Sequence, residues 1–405
     1  MRPRVLTERP APRSSRALAL TALRVRGPMS RAELARYVGV APSTVTSLIQ
    51  DLVAAGLVVE SAREPGSARQ LGPARPPAAA RQLGRPGLRL TLNPRLGVVA
   101  GIEFGFRSLR VLVCDLAHNV IGSAECELPE AHASAVALAA ARKLTAEALA
   151  AARVTHDALI AVGVSLPGPI RRHPDAVKPS PILPGWRGVT GDDIAAALNV
   201  AVSIDNDANL AALGEHVWGA GRGCDDSVTL MFHNGIGCGL FVNGTLVRGA
   251  LGGAGEIGHV TVDERGPLCR CGKRGCLETY TAISAVLEAL RPQHGMLTFD
   301  QLMWLLAAGD PGATRVVSDA AELVGTQLAA ACNLLAPRRV IVTGPMAQAG
   351  DLILNPIRAG LGRHIAPNEV PEVVLGSLGS RHTALGAIAL ALDETDWLPA
   401  QRPRP

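Results

Sequence analysis

The sequence predicts an α/β body preceded by a winged helix-turn-helix, and three observations carry that expectation. From residue 97 onward, short apolar runs alternate with helical patterns over about 300 residues, as α/β architecture requires. Ahead of them, residues 16–60 read as three short capped helices running into a strand. Charge divides at the same place. Residues 1–90 hold fifteen arginines, no lysine and five acidic residues, whereas the remaining 315 residues sum to −5. A basic head on an acidic body suits nucleic-acid contact by the head and a different task for the body; a solvated basic tail is the alternative.

Residues 1–15 mix Pro, Arg and Ser without periodicity, which predicts a disordered tail. The first helix spans about 16–26 and stops at Gly27-Pro28. Ser30-Arg31-Ala32-Glu33 is a capping box that starts a second helix through Tyr37, and Gly39 makes the turn. Pro42 suits the first position of a third helix. In that helix Val45, Leu48, Ile49 and Leu52 recur at helical spacing and define the buried stripe. The opposite face offers Ser43, Thr44, Thr46, Ser47 and Gln50, small polar groups that can approach bases and phosphates in a major groove. A helical hairpin used only for dimer packing is the competing reading. Gly56 ends the helix, and Leu57 to Glu60 begin a wing strand that returns over Leu88–Leu92. Between them, residues 61–87 are rich in Pro, Ala, Gly and Arg, and ARQLG occurs at 68–72 and 80–84, a local duplication rather than a solenoid. Arg85 could enter a minor groove, or be a solvated loop arginine.

In the body, GVVAGIEFG, LRVLVCDLA, ALIAVGVSL, VAVSID, SVTLMF with its hairpin partner, and RRVIVT read as strands. Helices are expected over 134–152, from Leu210, over 281–291, 299–307 and 313–335, and over the closing TALGAIALAL. No apolar run approaches membrane-spanning length, and no apolar segment ends in a cleavage site, so the reading is a cytoplasmic protein without membrane contact.

Cysteine use points to chemistry. Of eight cysteines, Cys269, Cys271 and Cys276 fall within eight residues, ten positions after His259. Three soft ligands and one imidazole suit a closed tetrahedral structural Zn2+ site. Glycines and charges between the cysteines disfavour an apolar core cluster. The pair Cys269 and Cys271 is too close in sequence for an easy disulfide.

The segments DNDANLAALGE (205–215), GALGGAGEIGHV (249–260) and CRCGKRGCLE (269–278) resemble the ROK family of repressors, uncharacterised reading frames and sugar kinases. The likeness covers residues 97–395, and a winged helix-turn-helix ahead of it is the arrangement of the family's regulator branch. The resemblance implies two ribonuclease-H-like lobes of the actin and sugar-kinase type, with a sugar in the cleft between them. On it, Asp207 matches the kinases' general base, a carboxylate that accepts a sugar hydroxyl's proton. By the same resemblance Asn206, Glu256 and Glu278 bind sugar hydroxyls, and His259 both binds sugar and ligates zinc. A helix N-cap is the ordinary alternative for Asp205 or Asp207 taken alone.

The phosphate loops depart from the kinase pattern. After the first strand stands Glu103-Phe104-Gly105-Phe106-Arg107-Ser108, with bulk where bare backbone and a hydroxyl should hold phosphates. The second loop is His233-Asn234-Gly235-Ile236-Gly237 and the late one Thr343-Gly344-Pro345. Together these argue against productive ATP binding. The expected domains are the tail 1–15, the winged head 16–92, a first lobe of 97–207 plus the C-terminal helix 383–395, and a second lobe of 208–382. The expected function is a sugar-responsive transcriptional regulator rather than an enzyme. Its partners would be operator double-stranded DNA, a sugar or sugar-phosphate effector, and further copies of itself in a homodimer or homotetramer. An active ATP-dependent sugar kinase that also binds DNA is the alternative.

Overall fold

The computed structural model describes residues 14–61, 88–129, 132–172, 175–177, 183–366 and 370–395. Arg85, both ARQLG copies and residues 1–13 lie outside them. The chain divides into two units, Met1–Asp205 with Ala384–Pro405, and Asn206–Thr383.

In the first unit, helix α1 (Ser15–Arg26) begins at the very end of the segment read as a tail, because the Ser14 hydroxyl accepts from the Ala17 amide at 3.2 Å. Helix α2 (Arg31–Val38) carries the complete capping box. Glu33 Oε2 accepts from the Ser30 amide at 2.7 Å, and Ser30 Oγ from the Glu33 amide at 3.2 Å. Gly39 closes α2 at φ 73°, a left-handed turn that glycine adopts without steric cost. Helix α3 (Pro42–Ala54) opens on its proline and buries Val45, Ile49 and Leu52. Leu48, expected in the same stripe, is only partly buried. These side chains, with buried Ala19, Leu20, Leu23, Leu34 and Leu90, make the head's apolar core. The wing is β1 (Val58–Ser61) paired antiparallel with β2 (Arg89–Leu92), with Val58 opposite Leu92 and Ser61 opposite Arg89.

The first lobe follows. Strands β3 (Val98–Phe104), β4 (Ser108–Asp115) and β5 (Val120–Glu127) form an antiparallel meander. After α4 (Ser134–Ala151), strand β6 (Leu159–Leu166) joins parallel to β3. A small hairpin, β7 (Ile170–Arg172) with β8 (Asp175–Val177), precedes α5 (Gly191–Leu198) and β9 (Ala201–Asn206). The sheet order is β5-β4-β3-β6-β9.

The second unit repeats this plan. Helix α6 (Asp207–Trp218) leads to β10 (Ser227–Phe232), β11 (Ile236–Val242) and β12 (Thr245–Val247). Helices α7 (Glu278–Thr281), α8 (Ile283–His294), α9 (Phe299–Ala307) and α10 (Pro311–Leu335) come next. Strand β13 (Arg339–Thr343), helix α11 (Asp351–His364) and strand β14 (Glu372–Leu375) complete it. Its order, β12-β11-β10-β13-β14, mirrors that of the first sheet. Helices α10 and α11 cross backbone to backbone at Gly325 and Gly360, where an added Cβ would sit 2.2 Å from the Ile357 and Glu322 carbonyls. Helix α12 (His382–Glu394) then carries the chain back into the first unit. No helix among the described residues is long and apolar enough to cross a membrane.

Sequence reading had not assigned β5, the β7–β8 hairpin, α5, α11 or β14. Strand β5, VIGSAECE, exposes alternate residues and presents small side chains, so its apolar signal is faint. Helix α11 contains Pro356, which reads as a helix breaker in isolation.

Candidate functional site

Short hydrogen-bonded turns rather than long elements hold the cysteine-rich segment. The Cys269 amide donates to the Lys273 carbonyl at 2.7 Å, and the Gly272 amide to the Cys269 carbonyl at 2.9 Å. Isolated bridges pair Thr261 with Cys276 and Leu268 with Arg274. Gly275, at φ 62°, leaves no room for a side chain, since a Cβ would lie 1.5 Å from the Asp263 carbonyl oxygen. This folding gathers one ligand atom each from His259, Cys269, Cys271 and Cys276 within 4.8 Å of one another. Cys269 Sγ lies 3.6 Å from His259 Nδ1, and Cys271 Sγ 3.6 Å from Cys276 Sγ. Tetrahedral bonds of about 2.3 Å to sulfur and about 2.0 Å to nitrogen put neighbouring ligands roughly 3.5–3.8 Å apart, and both of these pairs fall in that range.

Three adjoining thiols do not ionise alike. Burial, partly offset by the Cys271 amide, pushes the Cys269 thiol well up, and the Glu278 carboxylate adds to the effect. Burial and the bond with Cys271 also raise Cys276. Burial opposes ionisation at Cys271 as well. There, donation from the Lys273 amide and from the two neighbouring thiols outweighs it and holds the group below the usual thiol range. A cation among them would remove the mutual repulsion that full ionisation creates.

Polar groups adjoin the cluster. Glu278 opens α7 and is buried. Its Oε1 lies 3.5 Å from His259 Nδ1 and accepts from Cys269 Sγ at 3.1 Å. On the far side of the imidazole, Nε2 is 3.8 Å from Glu256 Oε2. Arg270, between two cysteines, donates Nε to Glu278 Oε1 at 3.0 Å and Nη2 to Oε2 at 2.7 Å. Burial alone would raise the Glu278 pKa, but Arg270 outweighs it and holds the carboxyl below its usual range. The same Nη2 reaches the Asn234 carbonyl at 2.8 Å and so ties the cysteine segment to the β10–β11 turn. His233 on that turn is pushed down to about 4 by burial first, then by His382 and Arg270.

At the start of α6 the N-cap is Asn206, not an aspartate: its Oδ1 accepts from the Asn209 amide at 2.7 Å. Asp207 is half-buried, with Oδ1 2.9 Å from the Ala208 amide. The structure thus brings His259, Glu256 and Glu278 together with the three cysteines, and electrostatic influence from Asp207 reaches Arg270.

The loops read as departures have partners of their own. Glu103 pairs with Arg110 at 3.3 Å across the β3–β4 hairpin. Thr343 Oγ1 donates to the Leu230 carbonyl at 3.0 Å. Gly237 and Gly239 admit helix α6, since Cβ atoms there would meet Ala208 and Ala212 at 3.0 and 2.3 Å.

On the head, Ser43, Thr44, Ser47 and Gln50 are exposed along α3. Thr46 is half-buried and its hydroxyl donates to the Pro42 carbonyl at 3.0 Å. Part of the arginine excess is neutralised internally, for Arg31 binds Glu60 at 3.1 Å and Arg89 binds Glu33 at 2.6 Å. Sequence reasoning missed Arg270. Its one available signal was a bulky cation inserted between two metal-ligand candidates.

The ROK family profile matches residues 99–394, well over half of the chain, and the MarR family profile matches residues 12–70. The chain is 27% identical over 371 residues to the xylose repressor of Bacillus subtilis, covering 90% of this chain and 91% of that one. It is 33% identical over 247 residues to a glucokinase of Thermotoga maritima, covering 56% of this chain and 78% of that one. Among solved structures, a ROK family transcriptional regulator described as a homolog of the E. coli MLC protein superposes with a TM-score of 0.72 at 23% identity. That match covers 94% of this chain and 97% of the other and confirms the fold, a winged head on two actin-like lobes. The chain is a member of the ROK family, with a MarR-type winged helix at its N-terminus.

Proposed function

We propose that this chain is a sugar-responsive, DNA-binding transcriptional regulator that acts as a repressor. One observation carries the reading. A single chain presents the exposed polar face of α3 and the metal-type cluster with its adjoining carboxylates, and a repressor matches it along 90% of its length. The glucokinases of Thermotoga maritima and Streptomyces coelicolor match 56% and 73% of the chain.

Ser43, Thr44, Ser47 and Gln50 read base edges and phosphates, with Thr46 holding the helix's first turn. The operator is a two-fold repeat and the working species a dimer or tetramer, since repeated half-sites mirror protein symmetry. His259, Cys269, Cys271 and Cys276 hold Zn2+, which neutralises the thiolates and fixes the imidazole. With Nδ1 toward the cysteines, the His259 proton resides on Nε2, facing Glu256. Asn206, Asp207, Glu256, His259 and Glu278 bind the hydroxyls of a sugar or sugar phosphate. Carboxylates suit hydroxyls because each is an acceptor with two oxygens. With its oxygen committed to the helix cap, Asn206 would donate through its amide nitrogen. To act as an effector the sugar must bind one arrangement of the protein better than another, because equal affinity shifts nothing.

Fluorescence anisotropy on DNA from upstream of the gene, titrated with D-xylose, D-glucose, N-acetyl-D-glucosamine and their phosphates at fixed salt, tests the reading. Tight binding that one of them changes supports it. No binding to any local fragment overturns it. The second reading, an active ATP-dependent sugar kinase, is favoured by Asp207 and by the glucokinase similarity. Against it stand Phe106 and Arg107 in the first loop, the pairing of Glu103 with Arg110, and the inward-bonded Thr343. Sugar-dependent ADP release that Asp207→Ala abolishes would establish the kinase.

A further inference from the structure

We propose that Arg24 is a positioning residue that locks the DNA-reading head onto the first lobe, so that any movement of that lobe becomes movement of α3. The inference rests on the regulator reading above, and it comes from a buried cation that reading does not use.

Arg24 lies in the last turn of α1 with its side chain only 6% exposed, which is rare for an arginine without a specific task. Its Nη1 donates to the Thr395 carbonyl at 2.6 Å, just past the end of α12, and its Nη2 lies 3.9 Å from Asp393. Its own carbonyl accepts from His118 Nε2 at 2.8 Å. His118 occupies the β4–β5 turn at φ 67°, held there by Asp115, whose Oδ1 accepts from the Ala117 and Asn119 amides at 2.9 Å. Gly27, one turn beyond, packs so closely that a Cβ would be 2.8 Å from His118 Nδ1. One residue of the head thus joins two separate pieces of the lobe.

Both pieces are rigidly seated. The β4–β5 turn belongs to the sheet, and α12 approaches the sheet backbone to backbone at two glycines. A Cβ at Gly101 on β3 would be 2.2 Å from the Ala384 carbonyl, and one at Gly163 on β6 would be 1.8 Å from the Ala387 carbonyl. Ala384, Leu385, Ala387, Ile388, Leu390 and Leu392 of α12 are buried. Close-packed elements of this kind transmit displacement rather than absorb it.

The other end of α12 meets a second clasp. The chain crosses between the units at Asp205–Asn206 and at Thr383–Ala384. Glu215, fully buried on α6, accepts from the Ser377 amide at 3.1 Å, the Leu378 amide at 3.1 Å and the Ala220 amide at 2.7 Å. The helix that begins at the first crossing therefore holds the loop leading to the second. Asp207, a proposed sugar ligand, stands at the start of that helix. The route from ligand to head is α6, Glu215, the 377–378 loop, α12 and Arg24.

Two measurements on the full-length, metal-loaded protein test this. Hydrogen exchange needs no effector. The α1 amides should exchange as slowly as those of β3 and β6, and fast exchange of the whole head in the native protein would overturn the lock. The second is DNA anisotropy with and without each sugar of the panel above. Where a sugar changes native DNA affinity about tenfold, Arg24→Gln should still bind DNA and that sugar separately, yet show less than about a twofold change. Arg24→Lys, which keeps one donor and the charge, should restore part of the response. Should Arg24→Gln fail to fold, His118→Asn serves instead, since asparagine tolerates the left-handed turn but is too short to reach the Arg24 carbonyl. An unaltered response in a folded variant overturns the proposal. A native protein that binds DNA but answers to no sugar counts against the effector reading, and the exchange measurement still decides the lock.

Discussion

The winged head and the cysteine-rich segment are built by opposite means. In the head, Leu20, Leu23, Leu34, Ile49, Leu52 and Leu90 share one apolar core, and each helix carries its own start signal. Residues 257–278 have one short 3-10 turn and isolated bridges, and they owe their shape to a few irreplaceable groups. Apolar packing is redundant, so damage is graded. A ligand cluster is not, so the loss of one member should undo the whole.

That contrast is most sharply broken at Cys276, which is completely buried. Structural zinc contributes about 10–16 kcal/mol in small zinc domains, so removing one ligand should have the largest effect of any single change. Cys276→Ala is expected to lose its metal by elemental analysis, to lose sugar response, and to become protease-sensitive across 260–278. DNA binding by the head should persist. Ile49→Ala should do the reverse. Metal content stays, while chemical denaturation shows a loss of about 2–4 kcal/mol in the head and DNA affinity falls with it.

Acid separates the regions again. The head has no histidine in residues 1–92, whereas His233 in the second unit is pushed down to about 4. A histidine whose folded pKa lies below its unfolded value of about 6.5 binds fewer protons when folded. Its stabilising effect is complete above that pH and fades as pH falls from about 6.5 toward 4, by up to roughly 3 kcal/mol. Denaturation curves at pH 7 and pH 5 should converge in His233→Gln relative to the native protein. Equal acid sensitivity in both would contradict the assignment. The smallest effect belongs to Ser30→Ala, which removes half of the capping box and should cost the head about 1 kcal/mol.

The two regions were nonetheless the most legible parts of the sequence, because each writes its signal locally. Helix α3 declares itself by four apolar residues at helical spacing, and the His-Cys cluster by three cysteines within eight residues. Partnerships across long sequence separations were invisible. Arg270 reaches Asn234 over 36 residues, Glu215 reaches Ser377 over 162, and Arg24 reaches Thr395 over 371. Nothing in the neighbourhood of any of these predicts its partner. The glycines of β11 show the converse difficulty. A GxGxG run suggests a phosphate cradle, yet Gly237 and Gly239 make room for α6. Asn206 was read as a sugar ligand, and the cap was considered only for its aspartate neighbours. The Asn206 carboxamide takes the cap, and Asp207 begins the helix.

In the proposed function, one chain couples a DNA-reading head to a metal-pinned sugar site. DNA anisotropy with the sugar panel, run side by side on native and chelator-treated protein, tests it most directly. Tight DNA binding is expected in both, changed by one sugar in the metal-loaded protein and insensitive to that sugar once the metal is gone. An equal sugar response with and without metal, or DNA binding that no sugar alters, would contradict it.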